Sequence, residues 1–256
     1  MGPRPARVLV LTPVKDAAEH LDLYFARLAR LTYPRRRISL GFLESDSADS
    51  TYEALAAKLP ALRRRYRRAG LWKRDFDFRI PAGYPRWADA FQVPRRTILA
   101  KSRNHLLFHA LDDEEWVLWL DVDVIDYPPD ILERLIAAGR DVVQPHCVTE
   151  EGRTFDHNAW RDQGRLLLSD LRSEGDLVRL HAVGATMLLV RADLHRDGLV
   201  FPPFLYGRAS PFVRRPNPWL PDTVGELETE GLGLMAMDMG HQCWGLPNLE
   251  VRHRNA

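Results

Sequence analysis

An apolar run that ends at two spaced carboxylates limits the folds open to this chain. The run Trp116–Leu120 has five consecutive apolar residues, too few for a membrane span and typical of a strand buried on both faces. Asp121 and Asp123 follow at once, and strand alternation would direct both to the same side. Pro128 and Pro129 then stop the strand. The pattern predicts a central strand whose carboxyl end carries a converging acidic pair.

The acidic pair has two interpretations. Like charges a few ångströms apart raise the pKa of one group, so a divalent cation would stabilise the pair, and hard oxygen ligands favour Mg²⁺ or Mn²⁺. An isolated Asp-x-Asp is equally compatible with a strand that ends in a solvated acidic loop, with Asp130 as the cap of the next helix. The motif by itself leaves both interpretations open.

Composition and charge exclude several classes of protein. The 256 residues are 45% hydrophobic and 28% charged, with a net charge of +1, as expected for a globular chain with a large core and no general attraction to nucleic acid. No early apolar run could cross a bilayer, so we expect no signal peptide and no membrane anchor. Cys147 and Cys243 lack a metal-type spacing and are expected to be buried thiols in a reducing compartment.

Alternating strand and helix patterns predict an α/β fold. Apolar runs predict strands at 7–12, 38–43, 116–120, 141–145, 181–190, 241–245 and 248–253. Helical spacing predicts helices at 21–31, 51–59, 97–111 and 131–139, and a further helix that opens at 226–231. We expect a single domain over residues 1–256, with a mostly parallel central sheet flanked by helices.

The loops after the first two strands carry candidate ligand contacts. In open α/β sheets, ligands bind outside the carboxyl ends of the strands. Lys15 and Asp16 follow the first strand, and Glu44 and Asp46 follow the second. We expect Asp46 to contact a ligand, although the alternative is that the polar residues 47–50 merely cap the next helix.

Two further segments carry polar groups near the predicted sheet. Lys101 and Arg103 lie on the helix that leads into the central strand, where a cation could face a diphosphate or remain solvated. Asp156, His157 and Asn158 form a polar loop between aromatic residues, which suits the recognition of a hydroxyl-rich ligand. Within a predicted strand, Gly184 would let a ligand or another backbone approach closely.

A basic run at 63–68 is the strongest local charge feature. Five of its six residues are arginines. Such a run can bind nucleic acid, phosphate or an anionic membrane surface, but most are solvated helix faces, and the balancing acidic residues weigh against nucleic acid. The pattern loses regularity over 60–94, and the aromatic and proline-rich piece around Tyr84, Trp87 and Phe91 predicts a long loop over the sheet, of the kind that forms lids or binding loops.

Eight short stretches occur together in the order of a known family. They are residues 11–17, 41–47, 102–104, 116–123, 183–191, 201–203, 228–231 and 245–248. In this order they resemble the fungal Golgi mannosyltransferases of the mannan polymerase complexes, the Anp1, Mnn9 and Van1 family, which has a GT-A nucleotide-sugar-binding fold. The Arg-rich and Ala-rich composition is typical of a bacterial relative, which we expect to be cytoplasmic or peripheral to the inner membrane.

The resemblance implies a function and a set of site residues. It implies that Mn²⁺, or Mg²⁺, joins Asp121 and Asp123 to the diphosphate of GDP-mannose, with His253 as a further ligand, and that a hexose passes to a glycan hydroxyl with retention. The implied catalytic residues are Asp121, Asp123, Glu228 and Glu230. The implied donor contacts are Thr12, Pro13, Lys15, Asp16, Glu44, Asp46, Lys101, Arg103, Asn104 and Asp121. Candidates for contact with the acceptor or the donor sugar are Asp156, His157, Asn158 and Gly184.

Two other functions remain open from the sequence. The chain could be a non-catalytic subunit that binds a nucleotide sugar or glycan beside a catalytic partner, since the family forms hetero-complexes. A phosphotransferase with Asp121 as the nucleophile would need a lysine and further acids at set positions, which we do not find. The sequence assigns no general base, no linkage and no oligomeric state.

Overall fold

A nine-stranded mixed sheet forms the centre of the computed structural model, which describes residues 4–85 and 87–254. The strands are β1 Val8–Val14, β2 Ile38–Glu44, β3 Arg68–Lys73, β4 Trp116–Leu120, β5 Val124–Asp126, β6 Val142–Val148, β7 Trp160–Arg161, β8 Leu166–Leu167, β9 Val178–Leu180, β10 Met187–Arg191, β11 Pro216–Asn217, β12 Leu220–Val224 and β13 Cys243–His253. The α-helices are α1 Leu21–Arg30, α2 Thr51–Arg65, α3 Asp89–Ala110, α4 Ile131–Ala137, α5 Ala192–Arg196 and α6 Glu228–Asp238.

The sheet has the order β3-β2-β1-β4-β10-β6-β13-β5, with β9 paired to β13. Strands β3, β2, β1 and β4 are parallel, β10 is antiparallel to both β4 and β6, and β13 is parallel to β6. Most strands therefore point the same way, and helices cover both faces. The predicted α/β fold with a mostly parallel central sheet is confirmed.

Alternation along β4 assigns its side chains to two cores. Leu118 and Leu120 pack in the cluster that includes α1, α2 and α4, whereas Val117 and Trp119 pack with α3 and α6. Successive strand residues face opposite sides, so odd-numbered positions of β4 look toward α3 and α6.

Several boundaries differ from the prediction. Helix α2 continues through Pro60 and α3 begins before Pro94, because packing of their apolar faces outweighs the one backbone hydrogen bond that each proline removes. The irregular stretch 60–94 contains the edge strand β3, and the loop predicted around Tyr84, Trp87 and Phe91 ends where α3 begins at Asp89. A hairpin of β11 and β12 lies in the segment after Phe201. Strand β10 begins only at Met187, and the two predicted C-terminal strands form one strand, β13, with a register shift between Leu246 and Glu250.

The basic run at 63–68 lies where the parallel strands of the sheet begin, and two of its arginines have a structural role there. Arg67 contacts Asp113 at 2.8 Å, and Arg68 contacts Glu114 at 2.6 Å. Glu114 is fully buried, so these arginines neutralise a carboxylate that water cannot reach. The remaining arginines, 63–65, end α2 on an exposed face.

Three further expectations concern the cysteines, membrane-spanning helices and the number of domains. Cys147 and Cys243 are buried free thiols, as predicted. In the part of the chain that the structure describes, no helix is long and apolar enough to cross a bilayer. The single-domain expectation for residues 1–256 includes residues 1–3, 86, 255 and 256, which lie outside the described ranges, and it stays a prediction.

Candidate functional site

The two acidic residues follow β4 rather than lie on it. The strand ends at Leu120, the amide of Asp121 donates to the carbonyl of Thr186 at 3.0 Å, and a turn carries the chain to β5. Strand alternation therefore does not apply to the pair, and the turn decides where each carboxylate points. The Asp121 and Asp123 side chains are 28% and 20% exposed, so both can be reached from solvent.

Asp123 is held by the end of the last strand. Nε2 of His253 lies 2.8 Å from Oδ1 of Asp123, and the amide of Arg254 donates to the Asp123 carbonyl at 3.0 Å. The imidazole is buried and stacks on Phe155, with ring centroids 3.7 Å apart. Burial lowers the pKa of His253, but the Asp123 carboxylate outweighs it and raises that pKa above its usual value.

Asp121 contacts a buried arginine from α3. Nη2 of Arg103 lies 3.2 Å from Oδ1 of Asp121, and Nε of Arg103 donates to Oε1 of Glu228 at 3.0 Å. The guanidinium also lies against Trp119 and Phe201, 5.6 Å and 5.2 Å from their ring centroids. Its Nη1 is buried and has no hydrogen-bond partner among the described residues. A buried, unpaired donor of this kind is where a substrate oxygen would gain most.

Burial and charge shift the pKa of Asp121. Burial raises the pKa of this carboxyl to about 6, Arg103 opposes the shift, and the neighbouring Asp123 charge adds to it. A carboxyl group whose pKa is raised in this way, at the end of a strand and beside a second carboxylate, is typical of a functional site.

An ion-pair network continues from Arg103 to the start of α6. Oε2 of Glu228 lies 3.5 Å from Nε of Arg96, and Nη1 of Arg96 lies 2.6 Å from Oε2 of Glu230. Trp160 donates its indole N–H to Oε1 of Glu230 at 2.7 Å. All four carboxylate oxygens of Glu228 and Glu230 therefore have cationic or N–H partners. The predicted catalytic roles of both residues stay predictions, and their contacts are those of residues that hold arginines.

The predicted donor residues after β1 and β2 tie three loops together. Asp16 accepts from the amide of Ala48 at 2.6 Å, and Lys15 donates to the carbonyl of Phe78 at 2.7 Å. Asp46 accepts from the amides of Phe76 and Asp77 at 3.0 and 2.9 Å. A cleft of about 430 Å³ opens beside them. Its lining residues are Asp46, Ser47, Lys73, Asp75, Asp77 and Arg79.

The other predicted donor residues are spread over different surroundings. Thr12 is buried in the core, where its hydroxyl pairs with the Tyr24 hydroxyl at 2.6 Å. Glu44 is also buried and accepts from the amide of Ser47 at 2.9 Å. Asn104 uses both ends of its amide on the backbone of Phe201, at 2.7 and 2.9 Å. These three side chains have protein partners.

Two donor candidates lie closer to water. Pro13 is half-buried within β1, one residue beyond the predicted end of that strand. Lys101 is exposed on α3. Among the contacts of the described residues, none joins Pro13 or Lys101 to Asp121 or Asp123.

The polar loop at 156–158 lies beside the network. Asp156 packs so closely on Gly184 that a side chain there would collide with its carboxylate, and Thr186 donates to Asp156 at 3.2 Å. Burial raises the pKa of Asp156. Asn158 contacts the Thr229 hydroxyl at 3.3 Å, whereas His157 is exposed. Because Gly184 has no side chain, the Asp156 carboxylate can approach its backbone closely.

Sequence reasoning missed the residues that link these groups. Arg96 and Arg103 are seven residues apart, two helical turns, and therefore lie on one face of α3. The predicted helix began at Thr97, so Arg96 fell outside it. A longer helix would have placed both arginines on one face. Trp160 and Arg215, which also contact Glu230, carry no local signal in the sequence.

The donor set at the end of β4 fits a divalent cation. Two carboxylates and one imidazole nitrogen are ligands that Mn²⁺ accepts, and the raised pKa of Asp121 reflects a negative site that a cation would relieve. Asp121, Asp123 and His253 are the residues that would hold it. Across the described residues, however, no three His, Cys, Asp or Glu side chains already form a metal-holding group, so binding requires small side-chain movements.

Comparison with known proteins assigns the chain to a family. Residues 3–171 match the Anp1 family. The mannan polymerase complex subunit mnn9 of Schizosaccharomyces pombe is 30% identical over 97% of this chain and 80% of its own length. The mannan polymerase II complex anp1 subunit of the same yeast is 28% identical over 96% of this chain, and this chain spans 64% of that protein's length.

A solved structure supports the fold. The mannosyltransferase PcManGT from Pyrobaculum calidifontis, in complex with GDP-Man and Mn²⁺, superposes with a TM-score of 0.58 at 15% identity, over 98% of this chain and 57% of that chain. At this identity the likeness concerns the fold alone. The chain is a member of the Anp1 family and has a GT-A glycosyltransferase fold.

Proposed function

We propose that this chain is a metal-dependent glycosyltransferase that moves mannose from GDP-mannose to a glycan hydroxyl with retention of configuration. The observation that carries the proposal is the convergence of four side chains at the end of β4. Asp121, Asp123 and His253 present metal ligands, and Arg103 presents a buried donor without a partner. The names of the yeast relatives and the ligands of PcManGT support the choice of mannose and GDP.

The chemistry that these groups offer is stabilisation of a leaving diphosphate. A divalent cation bound by Asp121, Asp123 and His253 would neutralise negative charge on the diphosphate. Arg103 is held by Glu228 and Asp121 before substrate arrives, so its Nη1 could donate to an oxygen on which charge develops once the neighbouring side chains admit it. Loss of one such contact raises the barrier by about 2.7–4 kcal/mol.

The surroundings of the donor fit the same proposal. The cleft beside Asp46 has room for part of a nucleotide, and its lining combines Lys73 and Arg79 with three aspartates, so it offers polar contacts without a net positive charge. Asp156 and Asn158 lie near Glu228 and Thr229, where polar groups can orient a sugar. Glu228 and Glu230 are bound to arginines, so we assign no general base. A bacterial and cytoplasmic setting, with contacts to a membrane or to further subunits, stays a prediction.

A second candidate is a non-catalytic subunit that binds the nucleotide sugar beside an active partner. Two yeast relatives are named as subunits of mannan polymerase complexes, and this chain spans only 64% of one of them. The two candidates share the binding site and differ in turnover. Hydrolysis of the donor by the purified chain therefore separates them.

Calorimetric titration with GDP, UDP and GDP-mannose, with and without Mn²⁺, tests the proposal. Mn²⁺-dependent binding of GDP, absent with UDP and lost in Asp123→Ala, together with slow hydrolysis of GDP-mannose, is the expected result. Asp193→Ala, which removes an exposed carboxylate near the opposite end of β4, is the matched control and should bind normally. Binding without hydrolysis would favour the subunit, and no binding of any nucleotide would reject both.

A further inference from the structure

Arg96 occupies a central position in the ion-pair network although it lies two helical turns from Arg103. It is 3% exposed, and its guanidinium contacts Glu230 at 2.6 Å, Glu228 at 3.5 Å and the Thr229 hydroxyl at 3.4 Å. The ring centroid of Trp219 lies 4.6 Å from its Cζ. Arg96 therefore binds three consecutive polar positions at the start of α6 and is shielded from water.

The segment that Arg96 binds is strained. Glu228 has a φ of 53°, in the left-handed region that residues with a Cβ rarely adopt. Such a conformation persists only where surrounding contacts enforce it. One Glu228 carboxylate oxygen contacts Arg96 and the other contacts Arg103. These two contacts help to enforce the left-handed conformation.

The strained glutamate in turn fixes the orientation of Arg103. The guanidinium is planar, and its Nε is bound to Glu228 while its Nη2 is bound to Asp121. With two nitrogens held, and aromatic rings of Trp119 and Phe201 against it, the direction of Nη1 is determined. Without Arg96, Glu228 would be free to turn away, and Nη1 would lose its fixed direction.

We infer that Arg96 is a positioning residue that holds Glu228, and through it fixes the direction of Nη1 of Arg103, which has no partner among the described residues. The geometric part of this inference concerns the chain alone. Its kinetic part rests on the proposed function. The experiment has a readout for each part, so that the two can fail separately.

Side-chain hydrogen exchange by NMR tests the geometric part. The Nε–H of Arg103, identified by its loss in Arg103→Lys, should be protected in the native chain because it is buried and bound to Glu228. Arg96→Lys keeps the charge but loses the planar fork. We expect it to speed exchange of this Nε–H by at least about tenfold, with β4 amide exchange unchanged, since local opening rates follow local contacts. Arg196→Lys, in ion pairs near the far end of β4, is the control.

Unchanged protection in Arg96→Lys would overturn the inference. Glu230→Gln is a second variant, which loosens Arg96 without altering its charge, in case Arg96→Lys does not fold. The same rise in exchange is expected there, and its absence would have the same meaning. If neither variant folds, Arg96 holds the core instead of positioning Arg103, and the inference is rejected.

Kinetics of GDP-mannose cleavage test the other part. Arg96→Lys alone should lower kcat about tenfold or more relative to the native chain. When the same change is added to Arg103→Lys, kcat should fall by less than about twofold further, because the effects of residues that act through one another are not additive. Independent, multiplicative losses would overturn the positioning role. The unaltered chain could bind no GDP and cleave no GDP-mannose, while Arg96→Lys still speeds exchange of the Arg103 Nε–H. In that case the proposed function fails and the positioning role of Arg96 stands.

Discussion

Two charge clusters lie at opposite ends of β4, and their surroundings differ. At the carboxyl end, the side chains of Arg96, Arg103, Glu228 and Glu230 are only 4–5% exposed. Their partners come from α3 and α6, which are far apart in the chain. The Glu228 backbone there is in the left-handed region, and Nη1 of Arg103 has no partner among the described residues, which is also true of Nε of Arg68 in the other cluster.

The cluster at the amino end has similar residues but more water. The side chains of Arg67, Arg68 and Asp113 are 25%, 40% and 43% exposed, around a single buried carboxylate, Glu114. Exposed ion pairs contribute little to stability, whereas breaking a buried pair leaves an uncompensated charge. Arg67 and Arg68, from the run of arginines visible in the sequence, therefore have a structural role, whereas the dispersed Arg96 and Arg103 lie in the candidate site.

Removal of one carboxylate from each cluster gives the largest expected contrast in stability. Glu230→Ala removes the shorter of the two ion pairs of the buried Arg96 and leaves the 3.5 Å contact with Glu228, and we expect a loss of about 3–5 kcal/mol in the free energy of unfolding. Asp113→Ala, on a side chain that water reaches, should lose less than about 1 kcal/mol. Urea unfolding of both variants measures the difference. Equal losses would show that burial does not separate the two clusters.

The second prediction separates the clusters by activity. Asp123→Ala should lower donor cleavage about 10²–10³-fold, because it removes one ligand from the proposed metal site. The fold should survive, since the side chain is partly exposed. Asp113→Ala is the control and should retain activity. A similar loss of activity in both variants, measured at saturating Mn²⁺, would contradict the placement of the site.

The third prediction concerns a neutral buried group near the same strand. His195 donates through Nδ1 to the Leu199 carbonyl at 2.7 Å and accepts from the Trp119 indole at 3.4 Å. Burial lowers its pKa to about 4. The unfolded chain takes up a proton below about pH 6.5 while the folded chain does not, so stability is lost as the pH falls from about 6.5 to about 4.

His195→Asn checks this pH dependence. The full loss from this group approaches about 3 kcal/mol, because each pKa unit corresponds to about 1.4 kcal/mol. Asparagine keeps a donor for the Leu199 carbonyl and does not titrate in this range. Unfolding free energies at pH 7 and pH 4.5 should therefore differ less in the variant than in the native chain. An identical pH dependence would show that His195 is charged when folded.

The smallest prediction tests the close contact between Asp156 and Gly184. Gly184→Ala should destabilise the chain by about 1–3 kcal/mol, since the added methyl group collides with the Asp156 carboxylate. Asp156→Ala in the same chain should recover most of this loss. Thermal unfolding of the single and double variants measures the recovery. If the double variant is no more stable than the single one, the collision is with another group.

The sequence predicted the order of elements and much of the site for identifiable reasons. Hydrophobic periodicity marked the central strand, and the polar residues after it pointed to Asp121 and Asp123. Arg103 was singled out because its helix leads directly into that strand. Arg96 was missed because the predicted helix began at Thr97, three residues after Pro94, whereas packing of α3 extends the helix to Asp89. The same effect hid the end of α2 beyond Pro60.

The sequence by itself determined which side chains belong to a buried sheet and which motifs follow one another, because both are local patterns of polarity. Only the tertiary structure decided which charges meet. Arg96 and Glu230 are 134 residues apart in the chain, and Arg67 finds Glu114 at the other end of the sheet. An ion pair is strong or weak according to the water around it, and that water is excluded by elements from distant parts of the chain.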